Sequence, residues 1–303
     1  MLYDVSHRTV YKYSQPVSIS HHLLHMSPRT SDRQANYAHR LHVEPAPAIS
    51  ETLTDYFGNP ANYLTIQQDH TKLVLHVTSR IEVMPPELPE PASTPAWDSV
   101  PATLAADFSP DGLDIFQYTF DSNHTVGGEG ISEYARPSFP TGRPILEAAL
   151  DLNRRIFKDF SYSGSATDVS TPIDDVLEMR QGVCQDFAHL QLACFRSLGL
   201  AARYVSGYIR TYSDKSDEKL IGADASHAWV SLFVPGTGWV DLDPTNNKPA
   251  TEEHITIAWG RDYADVSPIN GFILGGGAHE VSVAVEVKPL GQPVARHVNA
   301  VNN

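Results

Sequence analysis

The alternation of apolar and polar residues separates a β-rich first part of the chain from a mixed second part. Short β-prone runs occupy residues 9–13, 38–43 and 73–78, and turn-rich stretches such as residues 55–60 separate them. This spacing predicts a small antiparallel β-sandwich over residues 1–84. Because helical patterns appear only later, the class predicted for the whole chain is α+β.

A cluster of prolines follows the β-rich part. Six of the 22 prolines of the chain fall between residues 85 and 101. Proline has no backbone N–H and fixes its own φ angle, so this density blocks both helix and sheet. The sequence therefore predicts a domain boundary here, with an irregular or partly helical connection over residues 85–143.

Helical periodicity begins after that connection. Apolar residues recur at a helical spacing over residues 144–160. A second helix is predicted to start at Thr171-Pro172-Ile173-Asp174, with Thr171 as its cap, and to end at Gly182. Cys184 is expected to begin the next helix, because an amphipathic stripe follows it directly.

Strand-like runs follow this third helix. They cover residues 203–209, 228–234 and 239–242, and Pro235-Gly236-Thr237-Gly238 joins the last two as a hairpin turn. Residues 281–287 alternate as a late strand.

These elements complete the predicted organisation of the chain. They indicate a second domain over residues 144–290 in which the helix that carries Cys184 packs on an antiparallel sheet. A disordered polar tail is expected over residues 291–303.

Composition narrows the function classes. Of the 303 residues, 41% are hydrophobic and 19% charged, which suits a chain with a real core. The net charge of −14 opposes binding to nucleic acid or to an anionic membrane surface. No apolar run approaches the roughly 18 residues that a membrane helix needs, and the first residues do not resemble a secretory signal. With only two cysteines, placed where they cannot pair within one predicted helix, a reducing compartment and so a cytoplasmic protein is expected.

The two cysteines, Cys184 and Cys194, differ in their expected roles. Ten residues apart on one helix, they would lie about 15 Å apart, too far for a disulfide. Cys184 begins the helix, where unpaired amides and the helix dipole favour a thiolate. Cys194 lies on the apolar stripe and is expected to be a small core residue.

A nucleophilic thiol needs a base and a group that orients the base. His227 begins the first hairpin strand and Asp243 ends the second, so the hairpin brings both to its open end. Asp241 competes with Asp243, because residues two apart in a strand face the same side. The order Cys, His, Asp along the chain is compatible with a papain-type arrangement.

Other candidate residues are given structural roles. Asp186 and His189 are expected to support the helix, and Trp229 and Trp239 to pack in the core rather than line a substrate tunnel. The three histidines at positions 21, 22 and 25 have no ordered ligand spacing, so they are expected at the surface. The sequence indicates no metal and no cofactor.

Four ordered motifs carry a resemblance to a known family. They are Gln181-Gly182-Val183-Cys184-Gln185-Asp186-Phe187-Ala188-His189, Ala201-Ala202-Arg203-Tyr204-Val205-Ser206-Gly207-Tyr208, Ser226-His227-Ala228-Trp229-Val230 and Gly238-Trp239-Val240-Asp241-Leu242-Asp243-Pro244-Thr245-Asn246. In order and spacing they resemble the transglutaminase-like superfamily, and in particular its bacterial branch of transglutaminase-like enzymes and cysteine proteases with an N-terminal β-domain. The resemblance extends from about residue 3 to about residue 288.

The resemblance implies a papain-like transglutaminase core in which Cys184 is the nucleophile, His227 the base and Asp243 the acid. It implies acyl transfer through a thioester on a peptide or protein substrate. Hydrolysis of peptide or isopeptide bonds is favoured over transamidation by a transglutaminase. An inactive scaffold that binds a partner is the remaining alternative, and the presence of all three residues opposes it. The backbone amide of Cys184 is a candidate oxyanion donor, and the oligomeric state is open.

Overall fold

The computed structural model of the protein describes residues 1–210 and 226–290. Within these ranges the strands are β1 (Leu2–Leu24), β2 (Gln34–Glu44), β3 (Ile49–Thr54), β4 (Pro60–Ile66), β5 (His70–Val83), β6 (Ser161–Tyr162), β7 (Gln181–Gly182), β8 (Ala202–Ile209), β9 (His227–Val234), β10 (Gly238–Asp243), β11 (Lys248–Pro249), β12 (His254–Gly260), β13 (Ile269–Gly275) and β14 (His279–Leu290). The helices are α1 (Val100–Ala105), α2 (Pro110–Phe116), α3 (Glu129–Ala135), α4 (Ile145–Asp159), α5 (Ile173–Met179), α6 (Cys184–Ser197) and α7 (Tyr263–Val266). The predicted tail, residues 291–303, lies outside the described residues.

The N-terminal strands form one antiparallel sheet in which β1 is central. The order is β2-β5-β1-β4-β3, and β13 and β14 also pair with β1. The pairing of β1 with β5 shifts register between Lys12 and Val17, around Pro16, which has no N–H to donate. The three predicted strands are present. Hydrogen bonding runs continuously through the 23-residue β1, however, so the sheet is a single curled layer by its pairing and not two separate sheets of a sandwich.

The end of the described chain returns to this first sheet. β14 pairs with β1 from Leu2 to Tyr13, and β13 pairs with β1 from Val17 to Leu24. The strand predicted at residues 281–287 is thus part of β14, but it lies in the N-terminal sheet and not beside the strands of the predicted 144–290 unit. Alternation along a segment indicates a strand but cannot identify its partner.

The proline-rich connection is packed against the rest of the molecule. It contains α1, α2 and α3, and Val100, Leu104 and Ile131 from this region are buried in the largest apolar cluster. The same cluster includes Tyr3 of β1 and Phe195 of α6. One core therefore joins the N-terminal sheet, the connecting helices and the second sheet.

The second sheet has five antiparallel strands in the order β11-β10-β9-β8-β12. Helix α6 packs on β9 and β8 and is buried nearly all round, which is typical of a helix inside a core. Cys194, in the middle of α6, is fully buried, as a small core residue would be.

Two side-chain amides join the N-terminal region to the outer edge of β12. Gln34 donates to the carbonyl of Thr256 at 2.7 Å and accepts from its N–H at 2.8 Å. Asn59 bonds the carbonyl and the N–H of Trp259 in the same way, at 2.8 and 2.9 Å. Each amide bonds the backbone as a residue of a neighbouring strand would, so the outward N–H and C=O groups of Thr256 and Trp259 have side-chain partners.

Three local predictions differ from the structure. Helix α5 begins after Pro172, and the Thr171 hydroxyl is bonded to the Asp168 loop instead of capping the helix. The helix ends at Met179 and is followed by Arg180 in a left-handed conformation with φ of 56°, so it stops before the predicted end at Gly182. His22 and His25 are buried rather than at the surface, and His25 is bonded to the Asp55 carboxylate and the carbonyl of Ser267.

Candidate active site

Cys184 lies at the first turn of α6 and is half-buried. The carboxylate of Asp186 accepts from the N–H of Val183 and the hydroxyl of Thr167, each at 2.7 Å, which closes the start of the helix. A Cβ atom on Gly182 would lie 2.7 Å from the Asp186 Oδ2, so the cap requires glycine there. Asp186 thus has the supporting role that the sequence predicted.

His227 and Asp243 come together at the open end of the β9–β10 hairpin. Leu242 lies opposite Val230, which places the first residue of β9 and the last residue of β10 at the same end. The Nε2 of His227 donates to the Asp243 Oδ2 at 2.9 Å, and both side chains are fully buried. The structure therefore brings together the predicted base and acid.

The second ring nitrogen of His227, Nδ1, is not the one that bonds Asp243. Nδ1 is buried and has no conventional hydrogen-bond partner among the described residues. The charge of Cys184 raises the pKa of His227, and this effect is second to that of the Asp243 charge. The structure therefore places the imidazole against the Asp243 carboxylate and within electrostatic reach of the Cys184 thiol.

Five donors hold the Asp243 carboxylate. Oδ1 accepts from the backbone N–H groups of Thr245 and Asn246 at 2.9 and 3.1 Å, as in an Asx turn. Oδ2 accepts from the side chains of His227, Asn246 and His254 at 2.9, 2.7 and 3.1 Å. A carboxylate with this many donors is fixed in orientation and stays ionised.

The charges follow from this geometry. Burial favours the neutral form of His227, but the charges of Asp243 and Cys184 and the hydrogen bond to Asp243 outweigh it and raise the pKa of His227 to about 10. Burial opposes ionisation of Asp243, yet its bonds to His227 and His254 hold the pKa of that carboxyl well below its usual range. The site thus favours a charged imidazole beside a charged carboxylate.

His254 is a site residue that sequence reasoning missed. It begins β12, its side chain is 1% exposed, and its Nε2 lies 3.1 Å from the Asp243 Oδ2. The backbone N–H of Thr251 donates to its Nδ1 at 3.1 Å. The alternating run at residues 254–260 could have identified a strand, but no local pattern shows that this strand starts beside Asp243.

Two buried amides connect α6 to Asp243. Gln191 of α6 donates to the Asn153 Oδ1 at 3.0 Å, and Asn153 donates to the backbone carbonyl of Asp243 at 3.1 Å. The helix that carries the thiol and the strand that carries the acid are therefore tied together through α4.

Asp241 does not bond His227. It lines a cavity of about 220 Å³ on the face of the sheet that also bears Arg203, Trp239 and His254. The geometry thus distinguishes the two aspartates that alternation left equal.

The other aromatic and histidine candidates have packing contacts. Trp229 is fully buried, and Trp239 stacks on the guanidinium of Arg203 at 4.2 Å. His189 is buried and accepts from the N–H of Tyr263 at 3.2 Å, and burial holds the pKa of His189 well below its usual value. Trp229 and His189 thus have the structural roles that were predicted, whereas Trp239 is only partly buried and lines the cavity of about 220 Å³.

Tyr162 is a second residue near the thiol that the sequence did not indicate. It pairs with Gly182, two residues before Cys184, in the short parallel ladder of β6 and β7. Burial raises the pKa of Tyr162 to about 12, and the charges of Cys184 and Asp186 act in the same direction. The ladder thus places Tyr162 beside the short strand that leads into Cys184, with 43% of its surface exposed.

A cysteine at the start of a buried helix, with a histidine and an aspartate on an adjoining antiparallel sheet, is the arrangement of the transglutaminase-like class. The family model for the bacterial transglutaminase-like N-terminal region matches residues 3–82, and the model for the transglutaminase-like superfamily core matches residues 133–244. The chain belongs to the transglutaminase-like superfamily.

Relatives and solved structures agree with this assignment. Uncharacterized proteins from Mycobacterium tuberculosis and Mycobacterium bovis are 40% identical over 301 residues, covering 95% of this chain and 93% of theirs. A protein-glutamine gamma-glutamyltransferase from Pseudomonas aeruginosa is 32% identical over 103 residues, 33% of this chain and 15% of the relative. A crystal structure from Cytophaga hutchinsonii, described as a candidate cysteine protease, covers 97% of this chain and 92% of its own, with a TM-score of 0.75 and 21% identity.

No group of three or more histidine, cysteine, aspartate or glutamate side chains in residues 1–210 and 226–290 is arranged to hold a metal ion. No helix in the same ranges is long and apolar enough to cross a membrane.

Proposed function

We propose that the protein is a thiol acyl-transfer enzyme that hydrolyses peptide or isopeptide bonds through a thioester on Cys184. The observation that supports the proposal is the fully buried His227–Asp243 pair, together with a half-buried thiol at a helix start whose charge acts on the imidazole. A thiolate beside an imidazolium is the reactive form of such a pair.

Three side chains and one water molecule account for every bond and proton in the proposed reaction. The Cys184 thiolate attacks the amide carbonyl carbon, the C–N bond breaks, and His227 gives its Nδ1 proton to the departing amine. His227 then takes a proton from water as the water attacks the thioester, and the thiolate leaves. Asp243 holds the ring and stabilises its charged form throughout.

Transamidation is the second candidate. The similarity over 103 residues to a protein-glutamine gamma-glutamyltransferase supports it. The same thioester would then pass to a primary amine in place of water, and access of water to the site decides between the two. Hydrolysis is favoured because Cys184 is partly open to solvent.

Mass spectrometry of a mixed peptide pool tests the proposal. The pool contains glutamine, lysine and isopeptide-linked peptides with a labelled primary amine, and Cys184→Ala protein is the blank. Cleavage that requires the thiol supports hydrolysis, and label attached at glutamine supports transamidation. Products that also form with Cys184→Ala, or none with either protein, would contradict the proposed enzyme and favour a binding scaffold.

A further inference from the structure

We propose that His254 is a positioning residue of the site, which acts as a fixed neutral donor that orients Asp243 toward His227. This inference rests on the proposed function, since it assigns a role within the same site. It is based on the hydrogen bonds that His254 makes to Asp243 and to the backbone of Thr251.

The protonation of His254 follows from its two partners. An N–H group of the backbone can only donate, so the Thr251 N–H at 3.1 Å from Nδ1 requires that nitrogen to be the acceptor. In the neutral ring the proton therefore lies on Nε2, which faces the Asp243 Oδ2 at 3.1 Å. Burial favours this neutral form.

The position of this bond gives it a directing role. His227 and His254 donate to the same oxygen of Asp243, and both side chains are buried to within 1%. Asn246 donates to that oxygen as well, so His254 fixes one of the directions from which the oxygen is held and helps to set its orientation toward His227. The ring of His254 is itself held edge-to-face on Trp229, at 5.3 Å between centroids. Because the His254 ring is held in place, a rotation of the Asp243 carboxylate would break the hydrogen bond between them.

The test compares two substitutions at one position, with turnover of p-nitrophenyl acetate as the probe of acylation and deacylation at Cys184. His254→Leu removes both hydrogen bonds, whereas His254→Gln keeps an N–H donor of similar reach. We expect His254→Leu to lower kcat at least about tenfold with KM within about twofold, and His254→Gln to recover most of that loss. His22→Leu is the matched control, because His22 is a buried histidine of the N-terminal sheet without a contact to the site.

The outcomes separate the two proposals. Full turnover by Cys184→Ala would overturn the proposed function, and the role of His254 with it. Thiol-dependent turnover that is unchanged in His254→Leu, or equally low in His254→Leu and His254→Gln, would overturn the positioning role alone. Melting temperatures of all variants identify any loss of turnover that comes from unfolding. If His254→Leu does not fold, turnover by folded His254→Gln is compared with that of the wild-type protein.

Discussion

The two ends of the candidate site differ sharply in how they are held. Cys184 is half-buried and takes its position mainly from the start of α6, whereas Asp243 is fully buried and accepts five hydrogen bonds. His227 lies between them, bonded on the acid side and without a conventional partner on the thiol side. The difference indicates that the acid end is rigidly held, whereas the thiol end is partly open to solvent.

The largest expected effect comes from the thiol end. Cys184→Ala should lower turnover of a thiol-dependent substrate at least about a thousandfold, because it removes the nucleophile itself. Cys194→Ala is the matched control, since that thiol is fully buried and burial raises its pKa to about 12. Steady-state turnover of p-nitrophenyl acetate measures both variants. Equal losses in the two would contradict the distinction between the cysteines.

The second largest loss of activity is expected when the charge of the Asp243 carboxylate is removed. Asp243→Asn is expected to lower kcat about a hundredfold to a thousandfold, because His227 loses the acceptor that fixes its tautomer. Burial alone lowers the pKa of His227, so without the carboxylate charge the alkaline limb of kcat/KM should move to lower pH. A pH profile from about 5 to 10 checks this. A limb that stays in place would show that Asp243 does not hold the charge of His227.

A glycine beside the acid end gives a stability test. A Cβ atom on Gly207 would lie 2.2 Å from the carbonyl oxygen of Ile255 and 2.4 Å from the ring of Trp229. Gly207→Ala should therefore lower the free energy of unfolding by about 2–3 kcal/mol. Gly164→Ala, with no atom within 4 Å of the added methyl group, is the control. Denaturant unfolding of both variants measures the difference, and similar values would contradict the close packing behind the site.

The smallest effect is expected at Asp241. Asp241→Asn should change kcat by no more than about threefold, because Asp241 does not bond His227. It serves as the isosteric partner of Asp243→Asn, so the two variants measured side by side decide which aspartate the imidazole uses. A larger loss at Asp241 than at Asp243 would reverse the assignment.

The sequence indicated the thiol end better than the acid end. The glycine and the amphipathic stripe around Cys184 are local signals, and α6 begins where they predict. The hairpin turn likewise located His227 and Asp243 at one end of two strands. The choice between Asp241 and Asp243 depends on side-chain contacts that alternation does not contain.

Non-local pairing explains what could not be predicted. His254 reaches Asp243 because β12 pairs with β8, and β13 and β14 pair with β1 from the other end of the chain. Periodicity describes one segment at a time, so it carries no information about such partners. The predicted sandwich and the assignment of the last strand departed from the structure for the same reason.

The protonation state of His227 tests the account most directly. Nitrogen NMR of protein labelled at the histidine rings can follow His227 through a pH titration, with His227→Gln used to assign its signals. We predict that both ring nitrogens are protonated at pH 8, because Asp243 and Cys184 raise the pKa of His227 to about 10. A neutral His227 ring at pH 8 in the wild-type protein would contradict the charged pair on which the proposed function depends.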